Sequence, residues 1–187
     1  MKIILDAGHG PNTAGKRTPD GKMKEYEFNS TVTRLIKKEL DRFGIIVIFS
    51  HSDEKDVPLR ERTSLANKLK VQAFISIHAN AYGSNWNDVN GIETFTYTKP
   101  SADSVILAKH IQESLCNAVE RKDRGVKKKD LAVLRDTNMP AVLVECGFMT
   151  NQEEARLLQT DDYRLKCATG IATGIKLWVK KFQLEEV

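Results

Sequence analysis

The amino-acid sequence predicts an α/β fold, with a mostly parallel, twisted central sheet of about six strands and helices on both faces. Short apolar runs of strand length alternate with longer segments in which apolar residues recur at helical spacing. This alternation is typical of parallel sheets, because parallel neighbours must be connected by crossovers. The chain has 187 residues, of which 41% are hydrophobic, enough for one well-packed core. We therefore predict a single domain over residues 1–187.

The first half of the chain alternates three strands with two helices. The two strongest strand signals are apolar runs rich in β-branched residues, which is typical of buried strands. Gly44 is suited to end the first helix, and Asp56 with Pro58 suits the start of the second. The predicted elements are strand 2–6, helix 28–43, strand 45–50, helix 58–70 and strand 73–78.

The second half continues this pattern with punctuated boundaries. Gly91 and Pro140 stand at the starts of two strands, and Asn151 with Glu154 resembles a capping box. The predicted elements are strand 91–97, helix 101–119, strand 131–135, strand 141–145, and helices near 151–159 and 161–182. Between the halves, loop 79–90 contains Tyr82 and Trp86. It is either a plain connection or one wall of a ligand-binding groove.

Two of the four histidines stand at predicted strand ends. His78 ends the apolar run that starts at Ala73, and His9 lies in the glycine turn after strand 2–6. The carboxyl ends of parallel strands meet at one edge of a sheet, so two imidazoles delivered there can share a metal ion. A carboxylate where the first helix begins, Glu25 or Glu27, would complete the composition of an open catalytic zinc site.

Six motifs along nearly the whole chain strengthen this interpretation. They are Asp6-Ala7-Gly8-His9-Gly10, Glu25 followed by Asn29, Leu59 to Arg62 with Ala66-Asn67, Ser76-Ile77-His78-Ala79-Asn80, Arg124-Gly125-Val126, and Met139 to Phe148. In this order they resemble the zinc-dependent N-acetylmuramoyl-L-alanine amidases of the Amidase_3 type. One departure is Cys146, where that family often has Leu.

The resemblance implies both a site and a reaction. His9, Glu25 and His78 are expected to bind one Zn²⁺, and Glu145 is expected to be the catalytic carboxylate. The register of Glu25 with Asn29 favours Glu25 over Glu27. The implied reaction is hydrolysis of the amide bond between N-acetylmuramic acid and L-alanine in peptidoglycan.

Four further polar residues are candidates for holding the substrate or supporting the site: Arg62, Asn67, Asn80 and Arg124. Each is equally compatible with a structural role. Two other functions remain open from the residues alone. One is a zinc peptidase acting on stem peptides, and the other is a non-catalytic module that binds the cell wall or nucleic acid. Outside the motifs, His51 is interpreted as an ordinary loop histidine, and His110 is placed on a helix face.

Composition sets the remaining expectations. The net charge is +4, with a basic run over residues 121–129 that is either a solvated turn or an attraction for polyanionic walls. Nucleic acid is not an expected partner, because aromatic residues make up only 7% and no recognition motif is present. Three cysteines, an odd number, predict free thiols.

Cellular location is the least constrained expectation. No apolar stretch is long enough to insert into a membrane, and no secretory signal is visible. We expect a protein that acts on the bacterial wall. It is either a phage-type lysin held in the cytoplasm until lysis or a domain trimmed from an exported protein. We also expect a monomer.

Overall fold

A six-stranded sheet forms the centre of the computed structural model, which describes residues 1–185. The last two residues of the predicted domain lie outside this range. The strands are β1 (Lys2–Ala7), β2 (Ile46–Phe49), β3 (Ala73–Asn80), β4 (Ile92–Thr96), β5 (Asp123–Lys128) and β6 (Ala141–Phe148). The helices are α1 (Glu25–Asp41), α2 (Leu59–Leu69), α3 (Ala102–Val119), α4 (Ala132–Arg135), α5 (Gln152–Leu158) and α6 (Asp161–Glu185).

The strand order is β2-β1-β3-β6-β4-β5, and the helices flank this sheet. Strand β4 pairs with β6 in antiparallel orientation, whereas the other four pairings are parallel. The predicted α/β class and mostly parallel sheet are therefore confirmed. Because β1, β3 and β6 are adjacent and parallel, their carboxyl ends lie side by side. His78 on β3 stands in register with Glu145 on β6.

The predicted strand over residues 131–135 is wrong. Residues 132–135 form the short helix α4, and the strand in this part of the chain is β5 instead. The apolar run at 131–134 is too short for its spacing to distinguish strand from helix. Strand β5 is rich in charged residues because it lies at the edge of the sheet, where it pairs only with β4 and most of its residues are half-buried.

The buried core divides into two clusters, and successive residues of β1 alternate between them. Ile3 and Leu5 pack in the larger cluster with residues of α1, α3 and α6. Ile4 packs in the smaller cluster with Ala66 of α2 and Val133 of α4. Alternation along a strand is the direct result of its two-residue side-chain period. Both alternating sets of side chains on β1 are therefore buried, each in its own cluster.

Helices α3 and α6 approach each other closely at two glycines. A Cβ at Gly174 would lie 2.5 Å from Cα of Ile111, and one at Gly170 would lie 2.8 Å from Cα of Leu115. Both obstacles are backbone atoms of α3, which cannot move aside as a flexible side chain could. Glycine at these positions therefore sets the distance between the two helices.

The end of β1 is held by a buried ion pair. Asp6 and Arg62 are 1% and 2% exposed, and Arg62 Nη1 lies 2.8 Å from Asp6 Oδ1. Burial alone would raise the pKa of Asp6, but the Arg62 guanidinium and the hydroxyls of Ser50 and Ser76 hold that pKa below its usual range. The pair is charged, and it ties α2 to the strand that leads to His9.

Two of the composition-based expectations can be compared with the structure. All three cysteines have free thiols, as predicted. Among the helices of residues 1–185, none combines the length and apolar character needed to cross a bilayer.

We predict that Gly174→Ala destabilises the fold by about 1–3 kcal/mol, because the added methyl group overpacks the α3–α6 contact. The direction of this change is informative, because Gly→Ala at an open helix position normally stabilises a protein by about 1 kcal/mol. Urea unfolding followed by circular dichroism measures the difference. Thr173→Ala, at the exposed neighbouring position of α6, is the matched control. Equal or greater stability of Gly174→Ala would contradict the close packing.

We also predict that Arg62→Met lowers the free energy of unfolding by about 3–5 kcal/mol, because it leaves Asp6 buried and unpaired. Adding Asp6→Asn to this variant should recover part of the loss by removing the orphaned charge. Thermal unfolding of the single and double variants separates this charge effect from loss of packing. No recovery in the double variant would show that packing dominates.

Candidate metal centre

Three side chains from three different segments meet at the carboxyl edge of the sheet. His9 follows β1, Glu25 is the first residue of α1, and His78 lies near the end of β3. Glu25 Oε2 lies 3.0 Å from His9 Nε2, and Glu25 Oε1 lies 2.9 Å from His78 Nδ1. One donor atom from each residue falls within 4.8 Å of the others. The group can therefore hold a metal ion.

Glu25 reaches this position because α1 begins three residues earlier than the predicted helix. Lys24 is extended at the helix start, and Glu25 and Glu27 occupy the first turn, where acidic residues interact favourably with the helix dipole. Glu27 points elsewhere, since its carboxylate is 3.2 Å from Arg164 and its side chain is 56% exposed. The structure thus brings Glu25, and not Glu27, to the two histidines.

The charge state of Glu25 suits a metal ligand. Burial would raise its pKa, but hydrogen bonds with His78 and His9 outweigh burial and hold the pKa well below its usual range. Oε1 also accepts hydrogen bonds from Asn29 Nδ2 and from the backbone N–H of Ala79, both at 3.3 Å. The Asn four residues after Glu25 therefore orients the carboxylate.

The ring of His78 is held through Nε2, the nitrogen that does not contact Glu25. Its Nε2 lies 3.1 Å from Ser76 Oγ, which donates to Asp6 Oδ2 at 2.6 Å. This leaves Nδ1 facing Glu25. A Cβ at Gly8 would lie 2.0 Å from His78 Cε1, so only glycine lets the turn after β1 pass this close to the imidazole. The chain Asp6, Ser76, His78 is a typical outer support for a metal-binding histidine.

His9 occupies an unusual backbone conformation, with a φ of 66°. Non-glycine residues adopt this left-handed region only at a cost, which the surrounding contacts must offset. Arg62 supplies those contacts by donating hydrogen bonds to the carbonyls of Ala7, at 2.6 Å, and of His9. The imidazole is consequently turned toward Glu25 and His78, with the two rings 5.3 Å apart.

Glu145 lies beside this group, in register with His78 on one side and with Glu93 on the other. Burial raises the pKa of Glu145 to about 7. No group in the described part of the chain hydrogen-bonds its Oε2 atom, which is inaccessible to solvent. Such an unsatisfied buried polar atom is rare in stable folds and is typical of functional positions. Its environment fits a carboxyl group that exchanges a proton.

Two cavities reach the candidate metal centre. One, here called the Glu145 cavity, has a volume of about 640 Å³ and is lined by His9, Glu25, His78 and Glu145, with three basic side chains, Lys16, Arg17 and Lys129, among its other walls. The other, of about 420 Å³, is largely apolar and reaches His9 and His78 past Val57 and Leu131. Both cavities therefore reach the two histidines, and the Glu145 cavity also reaches Glu25.

The four candidate substrate residues have different positions. Arg62 uses its guanidinium on Asp6 and on the backbone of Val57, Ala7 and His9, which supports a positioning role. Asn67 Nδ2 donates to the carbonyl of Asp136, and Asn67 Oδ1 accepts from the backbone N–H of Asn138, at 2.9 Å each. It lines neither cavity at the metal centre.

Asn80 and Arg124 are joined through Glu93. Asn80 Nδ2 donates to Glu93 Oε1 at 2.8 Å, and Arg124 Nε donates to Oε2 at 2.7 Å. Asn80 lines the Glu145 cavity, and Arg124 stacks over the ring of Phe148 at 4.9 Å. Lys127, from the basic run, also pairs with Glu93 at 2.5 Å. The acidic neighbour of Glu145 is therefore neutralised by two cations.

Sequence reasoning missed several supporting residues. Asp6, Ser76 and Glu93 were not assigned roles, although Asp6 and Ser76 stand inside the motifs around His9 and His78. His51 is also more than an ordinary loop residue. It is half-buried, and its Nδ1 accepts a hydrogen bond from Ala7 N at 3.0 Å. Its position at the end of a strand was the available signal. His110 lies half-buried on α3, as predicted.

Comparison with known proteins agrees with this geometry. The chain is 34% identical over 173 residues to N-acetylmuramoyl-L-alanine amidase LytC of Bacillus subtilis, covering 92% of this chain and 34% of LytC. It is 34% identical over 179 residues to the endolysin of Bacillus phage SPP1, covering 92% of this chain and 64% of the endolysin. It therefore spans about a third of the one relative and just under two thirds of the other.

A solved amidase structure also resembles this chain. The crystal structure of N-acetylmuramoyl-L-alanine amidase from Clostridium difficile 630 matches with a TM-score of 0.90 at 32% identity, over 96% of each chain. The sequence profile of the Amidase_3 family, described as N-acetylmuramoyl-L-alanine amidase, matches residues 3–177. This match extends from β1 into α6 and includes every residue of the candidate metal centre. The chain belongs to the Amidase_3 family of N-acetylmuramoyl-L-alanine amidases.

Proposed function

We propose that this protein is a peptidoglycan amidase that hydrolyses the bond between N-acetylmuramic acid and the L-alanine of the stem peptide. The observation that carries the proposal is that, in a member of the amidase family, Glu145 lines the same cavity as His9, Glu25 and His78. An amide bond held in this cavity would lie beside both a metal-binding group and a proton carrier. The bacterial wall is accordingly the site of action.

The cofactor that fits the donor set is one Zn²⁺ ion. Two imidazole nitrogens and one carboxylate are the composition of an open catalytic zinc site, which keeps a further position for water or substrate. Magnesium and calcium prefer sets made of oxygen donors, which this group does not provide. The low pKa of Glu25 favours the ionised form that a ligand requires, and the contact with Ser76 holds the ring of His78.

The chemistry divides between the cofactor and the protein. When bound, Zn²⁺ supplies Lewis acidity toward the substrate carbonyl and lowers the pKa of water. Glu145 accepts a proton from the attacking water and delivers it to the departing L-alanine nitrogen, as a general base and then a general acid. A carboxyl group with a pKa near neutrality can perform both transfers. Arg62 acts indirectly, by holding the turn that carries His9.

The rival activity is a zinc peptidase that cuts within stem peptides. Mass spectrometry of wall digests distinguishes the two, because an amidase frees the amino group of L-alanine and leaves every bond between stem residues intact. We expect only amidase products from metal-loaded protein. Products broken within the stem would contradict the proposed function, and an absence of any turnover would favour a non-catalytic wall-binding module.

We predict that His78→Ala lowers Zn²⁺ affinity by at least about 100-fold, since even loss of an outer support commonly costs 10- to 100-fold. Competition with a metal-binding dye measures the affinity, and amidase rate should fall with it. Glu27→Gln is the matched control, because Glu27 is exposed and contacts Arg164 instead. Full metal content in His78→Ala would place the site elsewhere.

We predict that Glu145→Gln folds and binds Zn²⁺ nearly as the natural protein does, but cleaves peptidoglycan at least about 100-fold more slowly. Glutamine keeps the shape of the side chain and cannot accept the proton. The measurements are circular dichroism, metal content and rate of release of amino groups. A folded, metal-loaded variant with a nearly normal rate would require another proton carrier.

A further inference from the structure

A second cleft, here called the Trp86 cleft, opens beside the Glu145 cavity. Its volume is about 510 Å³. Trp86 is its large aromatic residue and is 37% exposed. The other lining side chains that matter are polar: Asp20, Lys22, Gln152, Arg156 and Gln159. An exposed indole surrounded by hydrogen-bonding groups is typical of a binding site for a ligand with one apolar and several polar surfaces.

The Trp86 cleft continues from the Glu145 cavity. Three chain segments contribute to both linings, with the cavity residue and the cleft residue one or two positions apart in the sequence. They are residues 16–19 followed by Asp20, residues 83–84 followed by Trp86, and residues 149–150 followed by Gln152. A polymer whose scissile bond lies at Glu145 can therefore extend along these three segments to the indole.

The loop that carries Trp86 is anchored on both sides of this residue. Asn87 N donates to the carbonyl of Thr150 at 2.9 Å, and Tyr82 N donates to Thr150 Oγ1 at 3.0 Å. Within the loop, Asn87 Nδ2 donates to the carbonyl of Tyr82 at 2.7 Å. These bonds anchor the loop to the end of β6, next to Gln152. A loop that is already anchored loses little conformational entropy on binding.

The polar side chains of the cleft suit a ligand rich in hydrogen-bonding groups, and Arg156 adds one cation that can donate to hydroxyl and carbonyl oxygens. Lys22 and Asp20 lie 3.6 Å apart and offset each other's charge. Gln152, Arg156 and Gln159, spaced by four and three residues, stand on one face of α5 and its end. Amide groups donate and accept, which matches hydroxyl and acetamido groups. The additional basic residues Lys16, Arg17 and Lys129 line the cavity instead, where carboxylates of a stem peptide would be better matched.

We infer that the Trp86 cleft is a subsite for an N-acetylated sugar ring of the glycan strand, with the apolar face of the ring against the indole. The inference rests on the proposed function, because the polymer that enters the Glu145 cavity is then peptidoglycan. It assigns Trp86 and Gln152 to saccharide recognition, separate from the metal centre. The enzyme would thereby bind glycan on the same strand that it strips of peptide.

The test uses a peptide-free tetrasaccharide of N-acetylglucosamine as the probe. The chain has two tryptophans, and Trp178 is only 1% exposed, so a ligand-dependent change in emission reports on Trp86. We expect a saturable change with the natural protein. Calorimetry should show affinity reduced by about tenfold or more in Trp86→Ala, as for an aromatic contact at the centre of a site. Gln152→Ala should weaken binding by both measurements.

Tyr82→Ala is the matched control, because Tyr82 is a more exposed aromatic residue of the same loop and does not line the cleft. It should bind the tetrasaccharide normally. Unchanged saccharide affinity in both Trp86→Ala and Gln152→Ala would overturn the inference. So would Trp86-dependent binding of the free stem peptide in place of the saccharide.

Amidase assays on purified peptidoglycan keep this inference separate from the proposed function. Saccharide binding that depends on Trp86, in a metal-loaded protein that releases no L-alanine amino groups, would support the subsite and contradict the amidase activity. Amidase activity without Trp86-dependent saccharide binding would contradict the subsite alone.

Discussion

The buried ion pair between Asp6 and Arg62 is the interaction on which the candidate metal centre depends. Arg62 reaches from α2 to the carbonyls of Ala7 and His9, and so fixes the turn that carries the first imidazole. Asp6 reaches Ser76, which contacts the ring of His78. Each charge is inaccessible to water, so removal of either partner leaves an uncompensated charge in the core. One pair therefore positions both histidines.

The carboxylates near the centre differ because their partners differ. Glu25 is surrounded by two imidazoles and remains ionised, which suits a ligand. Glu93 is paired with Arg124 and Lys127, so its charge is already compensated. Glu145 stands directly between the strands of His78 and Glu93, and burial dominates its environment. The start of α1 and the sheet register thus place three carboxylates in different environments: the proposed ligand Glu25, the paired Glu93 and the proposed proton carrier Glu145.

Much of the fold could be predicted from local patterns, and the errors have local causes. Strands β1 and β3 are buried and apolar, so their composition identifies them. Strand β5 is an edge strand with charged residues, and α4 is a short apolar run, so neither pattern is distinctive. The early start of α1 was missed because polar first-turn residues resemble a loop. That turn contains Glu25, which the family motif identified where periodicity could not.

The sequence by itself determined the fold class, the strand ends that deliver His9 and His78, and the family whose motifs include Glu25 and Glu145. Those features depend on residue type and spacing along the chain. Tertiary structure decided that Arg62 supports the turn at His9, that Glu93 is neutralised opposite Glu145, and that the loop of Trp86 is anchored to Thr150. These are contacts between residues 31 to 68 positions apart. Only the packed sheet and helices bring such side chains together, because no local pattern encodes their distance.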